Sequence, residues 1–301
     1  MTGERHVPVL FKEVMDFLRV SPGGTYVDCT VGLGGHAEGI LRRLGPGGRL
    51  IGFDRDSDAL ALAKARLDRV VAERGNEAPG VTLIGEAFSS IRHYVQPASV
   101  DGLMADLGVS SLQLDEARRG FSFQAEGPLD MRMDTRSRPT AEQVVNEVSE
   151  RELADLIYEF GEERRSRTVA RAIVRGRPVT TTEQLARIVA SVVPPMKGHR
   201  IHPATRTFQA LRIYVNRELD EIRALFEAAP QLLKPSARLA VISFHSLEDR
   251  IAKDSLREGA ARGVWKILTK KPVSAGEEEL GENPRSRSAK LRAAEKTGAG
   301  N

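Results

Sequence analysis

Cysteine is almost absent from the sequence, since Cys29 is the only one in 301 residues. A single cysteine excludes an intrachain disulfide and a zinc site built from several cysteines, and it suits a reducing cytosol. Apolar runs are also short, because none approaches the roughly 20 residues that a membrane-spanning helix needs. Residues 1–18 contain acidic side chains and no apolar signal segment. We therefore expect a soluble, cytoplasmic protein that does not enter a membrane.

A large excess of one charge is also missing, because 45 basic minus 41 acidic residues leave a net charge of only +4. Arginine is nevertheless concentrated locally, as expected for a surface that meets phosphates, in residues 162–177, 196–206 and 283–296. Solvated helix faces in an arginine-rich protein would give the same pattern. Charge alone therefore leaves the partner open.

Short apolar segments alternate with helical patterns in the first third of the chain. Four segments predict strands: "TYVDC" (25–29), "RLIGFDRD" (49–56), "VTLIGEAF" (81–88) and "SVDGLMADLG" (99–108). The segment 58–75 between two of them has the spacing of a helix. Strands that alternate with helices predict a parallel, doubly wound sheet.

This alternation stops near residue 115 and resumes after about residue 203. The intervening segment predicts a loop followed by short helices near 141–148, 150–160, 164–175 and 182–193. A single long helix is then predicted from the apolar spacing between Phe208 and Phe226. Beyond it, the segment 230–246 predicts a fifth strand. The segments 263–270 and 288–296 predict a closing antiparallel pair of strands. We predict a sheet-forming core in two parts, 1–114 and 204–301, separated by a mainly helical substrate-recognition domain, 115–203.

The stretch "VDCTVGLGGHAEGIL" (27–41) places a glycine-rich turn between a strand and a helix. One interpretation is a dinucleotide-binding loop, with Asp54 on the ribose 22 residues after Gly32. The other is the D-x-G-x-G-x-G loop of S-adenosylmethionine methyltransferases, with Thr30 in place of the first glycine. Both ligands need close backbone approach and a carboxylate that accepts from ribose hydroxyls, so the loop alone does not decide between them.

The segment "LLKPSARLAVIS" (232–243) favours the methyl donor. It is similar to the "LKPGGRL" turn that precedes the fifth strand of class I methyltransferases, in which a terminal antiparallel strand is also usual. A methyltransferase is therefore preferred over a dinucleotide-dependent enzyme.

The chain as a whole resembles the RsmH (MraW) family, the bacterial 16S rRNA cytosine-1402 N4-methyltransferases, over nearly its entire length. The matching blocks are long and chemically distinctive: "HVPVLFKEV" (6–14), "VDCTVGLGGHAEGIL", "GFDRD" (52–56), "DLGVSSLQLDEARRGFSFQAEGPLDMRMD" (106–134), "RIHPATRTFQALRIYVNREL" (200–219), "SFHSLEDRI" (243–251) and "NPRSRSAKLRAAEK" (283–296). The resemblance implies a class I, Rossmann-like fold with an inserted helical domain.

The resemblance also implies an activity and its partners. It implies methyl transfer from S-adenosylmethionine to N4 of cytosine 1402 in 16S rRNA, in the decoding region of the small ribosomal subunit. The implied cofactor contacts are Gly34, Gly35, His36, Asp54, Phe88, Asp106 and Gln113. No metal is expected.

The catalytic group is left unassigned by the sequence. Many amino-methyltransferases have an Asn/Asp-Pro-Pro-aromatic turn after the fourth strand, but this chain has Asp106-Leu107-Gly108-Val109. Asp106 is the first candidate for a general base by position. The alternatives are an NAD-dependent oxidoreductase and a non-catalytic RNA-binding protein with a vestigial loop. "SFHSLEDR" (243–250) lacks the hydrolase pattern G-x-S-x-G and predicts a strand end and helix cap.

Overall fold

The computed structural model describes residues 8–194 and 202–298. The chain forms two compact units: a sheet unit, Met1–Gly108 with Leu219–Asn301, and a helical unit, Val109–Glu218. Within the described ranges, no helix combines the length and apolar character that crossing a bilayer requires.

The sheet unit is built on a single seven-stranded sheet. Its strands are β1 (Thr25–Asp28), β2 (Arg49–Phe53), β3 (Gly80–Ile84), β4 (Val100–Asp106), β5 (Leu233–Ser243), β6 (Trp265–Ile267) and β7 (Lys290–Lys296). The spatial order is β3-β2-β1-β4-β5-β7-β6. The first five strands are parallel, and β7 runs antiparallel to both β5 and β6. This is the predicted class I methyltransferase topology, and the prediction of the fold class is confirmed.

Helices of the sheet unit cover the strands and leave their carboxyl ends at one edge. They are α1 (Phe11–Leu18), α2 (Gly35–Arg43), α3 (Ser57–Arg74), α10 (Glu218–Leu232), α11 (Ser246–Ala261) and α12 (Glu277–Glu282). Residues of α1, α2 and α3 share one core with the sheet, in which Leu18, Ile40 and Leu67 are buried. Burying each such side chain contributes about 1.5–3 kcal/mol. The strand order reverses beside β1, which is where parallel α/β sheets bind ligands.

The helical unit has its own core. It contains α4 (Ser111–Asp115), α5 (Ala141–Glu147), α6 (Glu150–Gly161), α7 (Ser166–Arg175), α8 (Thr182–Val192) and α9 (Thr205–Asn216). Ser or Thr side chains cap α4, α5, α6 and α8 at their N-termini, which supplies partners for otherwise unpaired backbone N–H groups. Apolar side chains such as Leu153, Ile157, Val169 and Leu211 form the buried cluster.

The helical unit, Val109–Glu218, extends beyond the predicted insertion, 115–203, at both ends, because α4 and α9 belong to it. Phe208, Leu211 and Val215 of α9 pack in the core of the helical unit. The prediction of one long helix through Phe226 is wrong, since Arg217 adopts a φ of 50° and ends α9 before α10 begins. The apolar spacing runs through this break without change, so periodicity could not reveal that its residues belong to two units.

The "LKPSARL" turn is a bulge within β5 rather than a turn before it. Leu233 pairs with Val100 and Arg238 with Gly102, so β5 has four residues where β4 has one. Ser236 lies in this bulge with a φ of 65°, at a position where the related pattern has glycine. A non-glycine residue is strained in this region of backbone space.

Candidate cofactor-binding site

The loop between β1 and α2 is a tight turn that opens a helix. The N–H of Gly34 donates to the carbonyl oxygen of Val31 at 2.8 Å, and Gly34 has a φ of 81°. An added Cβ on Gly34 would lie 3.3 Å from Ala63 of α3. Both the backbone conformation and the close approach of α3 therefore require glycine. Gly35 and His36 begin α2, so their N–H groups lie at the positive end of the helix.

Asp54, immediately after β2, fixes this loop from the neighbouring strand. Its Oδ2 accepts from the N–H of Gly32 at 2.7 Å, and its Oδ1 accepts from the N–H of Asp56 at 2.8 Å. Burial raises the pKa of Asp54 to about 6, against the opposing effect of these two N–H groups. Each carboxylate oxygen can accept more than one hydrogen bond, so Asp54 keeps capacity for vicinal ribose hydroxyls.

Asp28 and Asp106 end β1 and β4, and Thr30 connects them. The N–H of Thr30 donates to Asp28 Oδ1 at 3.0 Å, and Thr30 Oγ1 accepts from the N–H of Asp106 at 2.6 Å. Asp28 is fully buried. Its Oδ2, like Oδ1 of Asp106, is buried without a hydrogen-bond partner among the described residues. A hydrogen-bond donor or a cation would therefore stabilise each of these two carboxylate oxygens.

The pKa values of Asp28 and Asp106 reflect burial and the charges of neighbouring carboxylates. Burial raises the pKa of Asp28 to about 7, opposed by the Thr30 N–H and reinforced by the charge of Asp54. Burial also raises the pKa of Asp106 well above its ordinary range, and the charges of Asp28 and Glu248 raise it further. Asp28 thus keeps its proton to a higher pH than an ordinary carboxyl group does.

His36 lies beside this pair and is held from its other side. Its Nε2 lies 3.0 Å from the carbonyl oxygen of Val9, to which it donates, and its ring stacks on Phe11 with centroids 6.1 Å apart. In neutral His36 the proton is therefore on Nε2, leaving Nδ1 as an acceptor. Nδ1 lies 3.7 Å from Oδ2 of Asp106. The segment around Val9 and α1 thus sets the orientation of a predicted cofactor residue.

The segment after β5 has a structural role, as its sequence indicates. His245 caps α11 together with Glu248, whose Oε2 accepts from the N–H of Phe244 at 2.7 Å. Asp249 forms an ion pair with Arg292 of β7 at 2.7 Å. The prediction of a strand end and helix cap is confirmed. The fully buried Glu248 also acts on the site, since its charge raises the pKa of Asp106.

Two of the predicted cofactor residues, Phe88 and Gln113, lie in other segments of the chain. Phe88 is buried and begins a 3₁₀ helix, Phe88–His93, after β3. Gln113 belongs to the helical unit, where its side chain and that of Ser110 form a capping box at the start of α4. The roles of these two residues in cofactor binding, like those of the other five predicted residues, stay predictions.

Sequence reasoning did not select Asp28, Thr30, Val9 or Glu248 as site residues. Asp28 and Thr30 had a local signal, because an acid ends the first strand and a threonine replaces a glycine in the motif. Val9 acts through its carbonyl oxygen, 27 residues from His36, and Glu248 lies 142 residues after Asp106 in the numbering. No local pattern could have identified these two.

Comparison with known proteins agrees with this geometry. Residues 3–297 match the model of the MraW methylase family. A protein of Acidobacterium capsulatum named ribosomal RNA small subunit methyltransferase H is 64% identical, covering 98% of this chain and 100% of the relative. Proteins of the same name from Koribacter versatilis and Sorangium cellulosum are 58% and 53% identical, covering 96% and 98% of this chain and 93% and 92% of the relatives.

The chain belongs to the MraW methylase family. The resemblance seen in the sequence is confirmed, and the chain is an S-adenosylmethionine-dependent methyltransferase. The NAD-dependent alternative finds no support.

The residues present fit S-adenosylmethionine as a family ligand. This cofactor has an ammonium and a sulfonium, and the sheet unit offers two buried carboxylate oxygens without hydrogen-bond partners, on Asp28 and Asp106. The turn at Gly34 allows close backbone approach, and Asp54 at the neighbouring strand end suits ribose hydroxyls. When bound, the cofactor supplies a methyl group on a positively charged sulfur.

Proposed function

We propose that this protein transfers a methyl group from S-adenosylmethionine to the exocyclic N4 of cytosine 1402 in 16S rRNA of the small ribosomal subunit. The observation that carries this proposal is the full-length identity of up to 64% with proteins named ribosomal RNA small subunit methyltransferase H. The cluster of carboxylates around the β1–α2 loop supports it, because the cluster suits a cationic methyl donor.

The cofactor contacts in this proposal are Gly34, Gly35, His36, Asp54, Phe88, Asp106 and Gln113. The proposed roles follow from residue chemistry. The glycines allow the backbone to approach the ligand, Asp54 accepts from the ribose, and the ring of Phe88 packs on the adenine. Asp106 meets the amino-acid end or the target amine.

The reaction is an in-line displacement in which the N4–carbon bond forms as the carbon–sulfur bond breaks, and the electron pair stays on sulfur. The cytosine amine is a poor nucleophile because its lone pair is delocalised into the ring. Positioning must therefore supply much of the rate, and one N4 proton must leave. By its position at the end of β4, Asp106 is the first candidate for the group that accepts this proton.

The helical unit is proposed to hold the rRNA. Of its basic runs, 162–177 lies within α7 and its flanks, whereas residues 196–201 of the second run lie outside the described residues. The third run, 283–296, lies in the sheet unit, where it contains a 3₁₀ helix, Pro284–Ser288, and β7. In β7, Arg292 is paired with Asp249. The target cytosine has to be unpaired or flipped from its stack for N4 to reach the methyl donor.

Calorimetry with S-adenosylmethionine and with NAD, followed by transfer of labelled methyl to small subunits from a strain lacking the modification, tests the proposal. We expect binding of S-adenosylmethionine alone and label in N4-methylcytidine after digestion of the rRNA. Binding of NAD instead would refute the proposal. Cofactor binding without transfer would favour the non-catalytic RNA-binding alternative.

Asp54→Ala should weaken S-adenosylmethionine binding by tenfold or more, since hydrogen bonds to a charged group contribute about 1.5–3 kcal/mol. RNA binding should stay within twofold of the wild type. Asp68→Ala, on the exposed surface of α3 where Asp68 pairs with Lys64, is the matched control and should change neither. Equal losses of cofactor and RNA binding by Asp54→Ala would indicate misfolding and contradict the assigned role.

A further inference from the structure

The helix α7 has an arginine-rich face opposite its buried face. Its core-facing residues are Ser166, Val169, Ala170 and Ile173. Arg167, Arg171 and Arg175 are exposed and recur every four residues, so they lie along one side of the helix. Arg164 and Arg165, just before the helix, are exposed as well. We call Arg164, Arg165, Arg167 and Arg175 the open arginines.

In the part of the chain that the structure describes, the open arginines have no protein partner. Among the described residues, none of their side chains forms a hydrogen bond or an ion pair, while Arg171 lies 3.3 Å from Glu150. Four exposed arginines elsewhere in the helical unit are paired with acids, whereas Arg138, in the loop before α5, has no such partner among the described residues. The four pairs are Arg118 with Glu116, Arg136 with Asp134, Arg151 with Asp155 and Arg187 with Glu183. On an ordinary solvated helix face, we expect arginines to be paired with acids, as Arg151 and Arg187 are.

Glu163, the acid just before the open arginines, is engaged by other groups. Glu163 is buried, accepts from the backbone N–H of Arg165 at 2.8 Å, and lies 3.8 Å from the guanidinium of Arg206. The first turn of α7 contains no acidic residue. Like charges spaced four apart, and cations near the positive end of a helix, each cost about 0.2–1 kcal/mol. The open arginines therefore do not serve the stability of this unit.

We propose that the open arginines bind the sugar-phosphate backbone of the rRNA substrate. This proposal rests on the proposed function. Arg167 to Arg175 spans about 12 Å of helix, a length over which one nucleic-acid strand presents on the order of three phosphates. Guanidinium groups free of carboxylates can bind these phosphates in a bidentate manner without first breaking an ion pair.

The test compares two triple variants with equal loss of charge. Arg164, Arg167 and Arg175 are changed to Gln in one, and the paired Arg136, Arg151 and Arg187 are changed to Gln in the other. Gln has nearly the helix propensity of Arg, so folding should be retained, and an unchanged affinity for S-adenosylmethionine verifies this. Methyl transfer to unmodified small subunits is measured over a range of salt concentrations, and binding to deproteinised 16S rRNA is measured in parallel.

We expect the open-arginine variant to raise KM for small subunits by tenfold or more, with kcat within twofold of the wild type. Its affinity for deproteinised rRNA should fall, and the salt dependence of that affinity should become shallower by about 2 in logarithmic slope, because each phosphate that is no longer neutralised removes about 0.7 from the slope. The paired-arginine variant should change KM by less than threefold.

Equal effects of the two variants would show that only net charge matters, and no effect would show that this face is unused; both overturn the proposal. A raised KM for small subunits together with unchanged binding to deproteinised rRNA would indicate that this face binds a ribosomal protein. That result would also overturn the proposal. Failure of the wild type to transfer methyl at all would instead refute the proposed function.

Discussion

Relative to the wild type, the Asp28→Asn variant should have a more favourable free energy of unfolding at pH 8 than at pH 5. Burial raises the pKa of Asp28 to about 7 in the folded chain, whereas an unfolded Asp has a pKa of about 3.9. The folded state therefore binds more protons between these values, and the free energy of unfolding falls as the pH rises through this window. For one such carboxyl the fall between pH 5 and pH 8 is about 2–3 kcal/mol.

Asparagine removes this dependence because it does not ionise. Its amide oxygen can still accept from the N–H of Thr30, as Oδ1 of Asp28 does at 3.0 Å. Burial of an unpaired amide group costs about 1–3 kcal/mol, but this cost is the same at both pH values. The difference in the free energy of unfolding between variant and wild type should therefore change by about 2–3 kcal/mol in favour of the variant from pH 5 to pH 8.

Urea unfolding followed by the fluorescence of Trp265 measures this shift. Trp265 is the only tryptophan of the sequence and is buried in β6, so its signal reports on the sheet unit. Asp68→Asn, at an exposed position of α3, is the control and should shift by less than about 0.5 kcal/mol. An equal stability difference at pH 5 and pH 8 would show that Asp28 does not titrate in this range and would refute the reasoning.

Two further substitutions test the local geometry. Thr30→Val should lower the free energy of unfolding by about 1–3 kcal/mol, because the N–H of Asp106 loses its acceptor Thr30 Oγ1. Thr30→Ser keeps a hydroxyl and should lose much less, so an equal loss for the two variants in urea unfolding would contradict the role of this hydrogen bond. Ser236→Gly should raise the free energy of unfolding by about 1 kcal/mol, because Ser236 has a φ of 65°. The melting temperature should rise accordingly, and an unchanged or lower melting temperature would contradict the strain argument.

The sequence predicted most of the fold because its signals are local. Strand and helix positions follow from apolar spacing, and the parallel sheet follows from their alternation. The one long helix predicted through Phe208 and Phe226 is wrong because the break at Arg217 leaves the spacing intact. An arginine with positive φ has no distinctive local signal, unlike a glycine.

The sequence proposes candidate site residues where the motif is contiguous, and it offers no signal for contacts that are assembled from distant segments. Gly34, Gly35 and His36 were selected from one loop, and Asp54 from the end of the next strand. The carbonyl oxygen of Val9 reaches His36 only through the packing of the N-terminal segment. The charge of Glu248 reaches Asp106 only because β4 and β5 are neighbours in the sheet.

By itself, the sequence determined the order of elements, the glycine turn, the acid at each strand end and the family. These depend on residue type and short spacing, which the chain fixes before it folds. Only the tertiary structure decided which carboxyl groups are buried and hold protons, and which arginines are paired. Arg171 meets Glu150 while Arg167 and Arg175, on the same face of α7, meet no acid among the described residues. Ionisation and pairing depend on desolvation and on distances between groups far apart in the chain, and packing alone sets both.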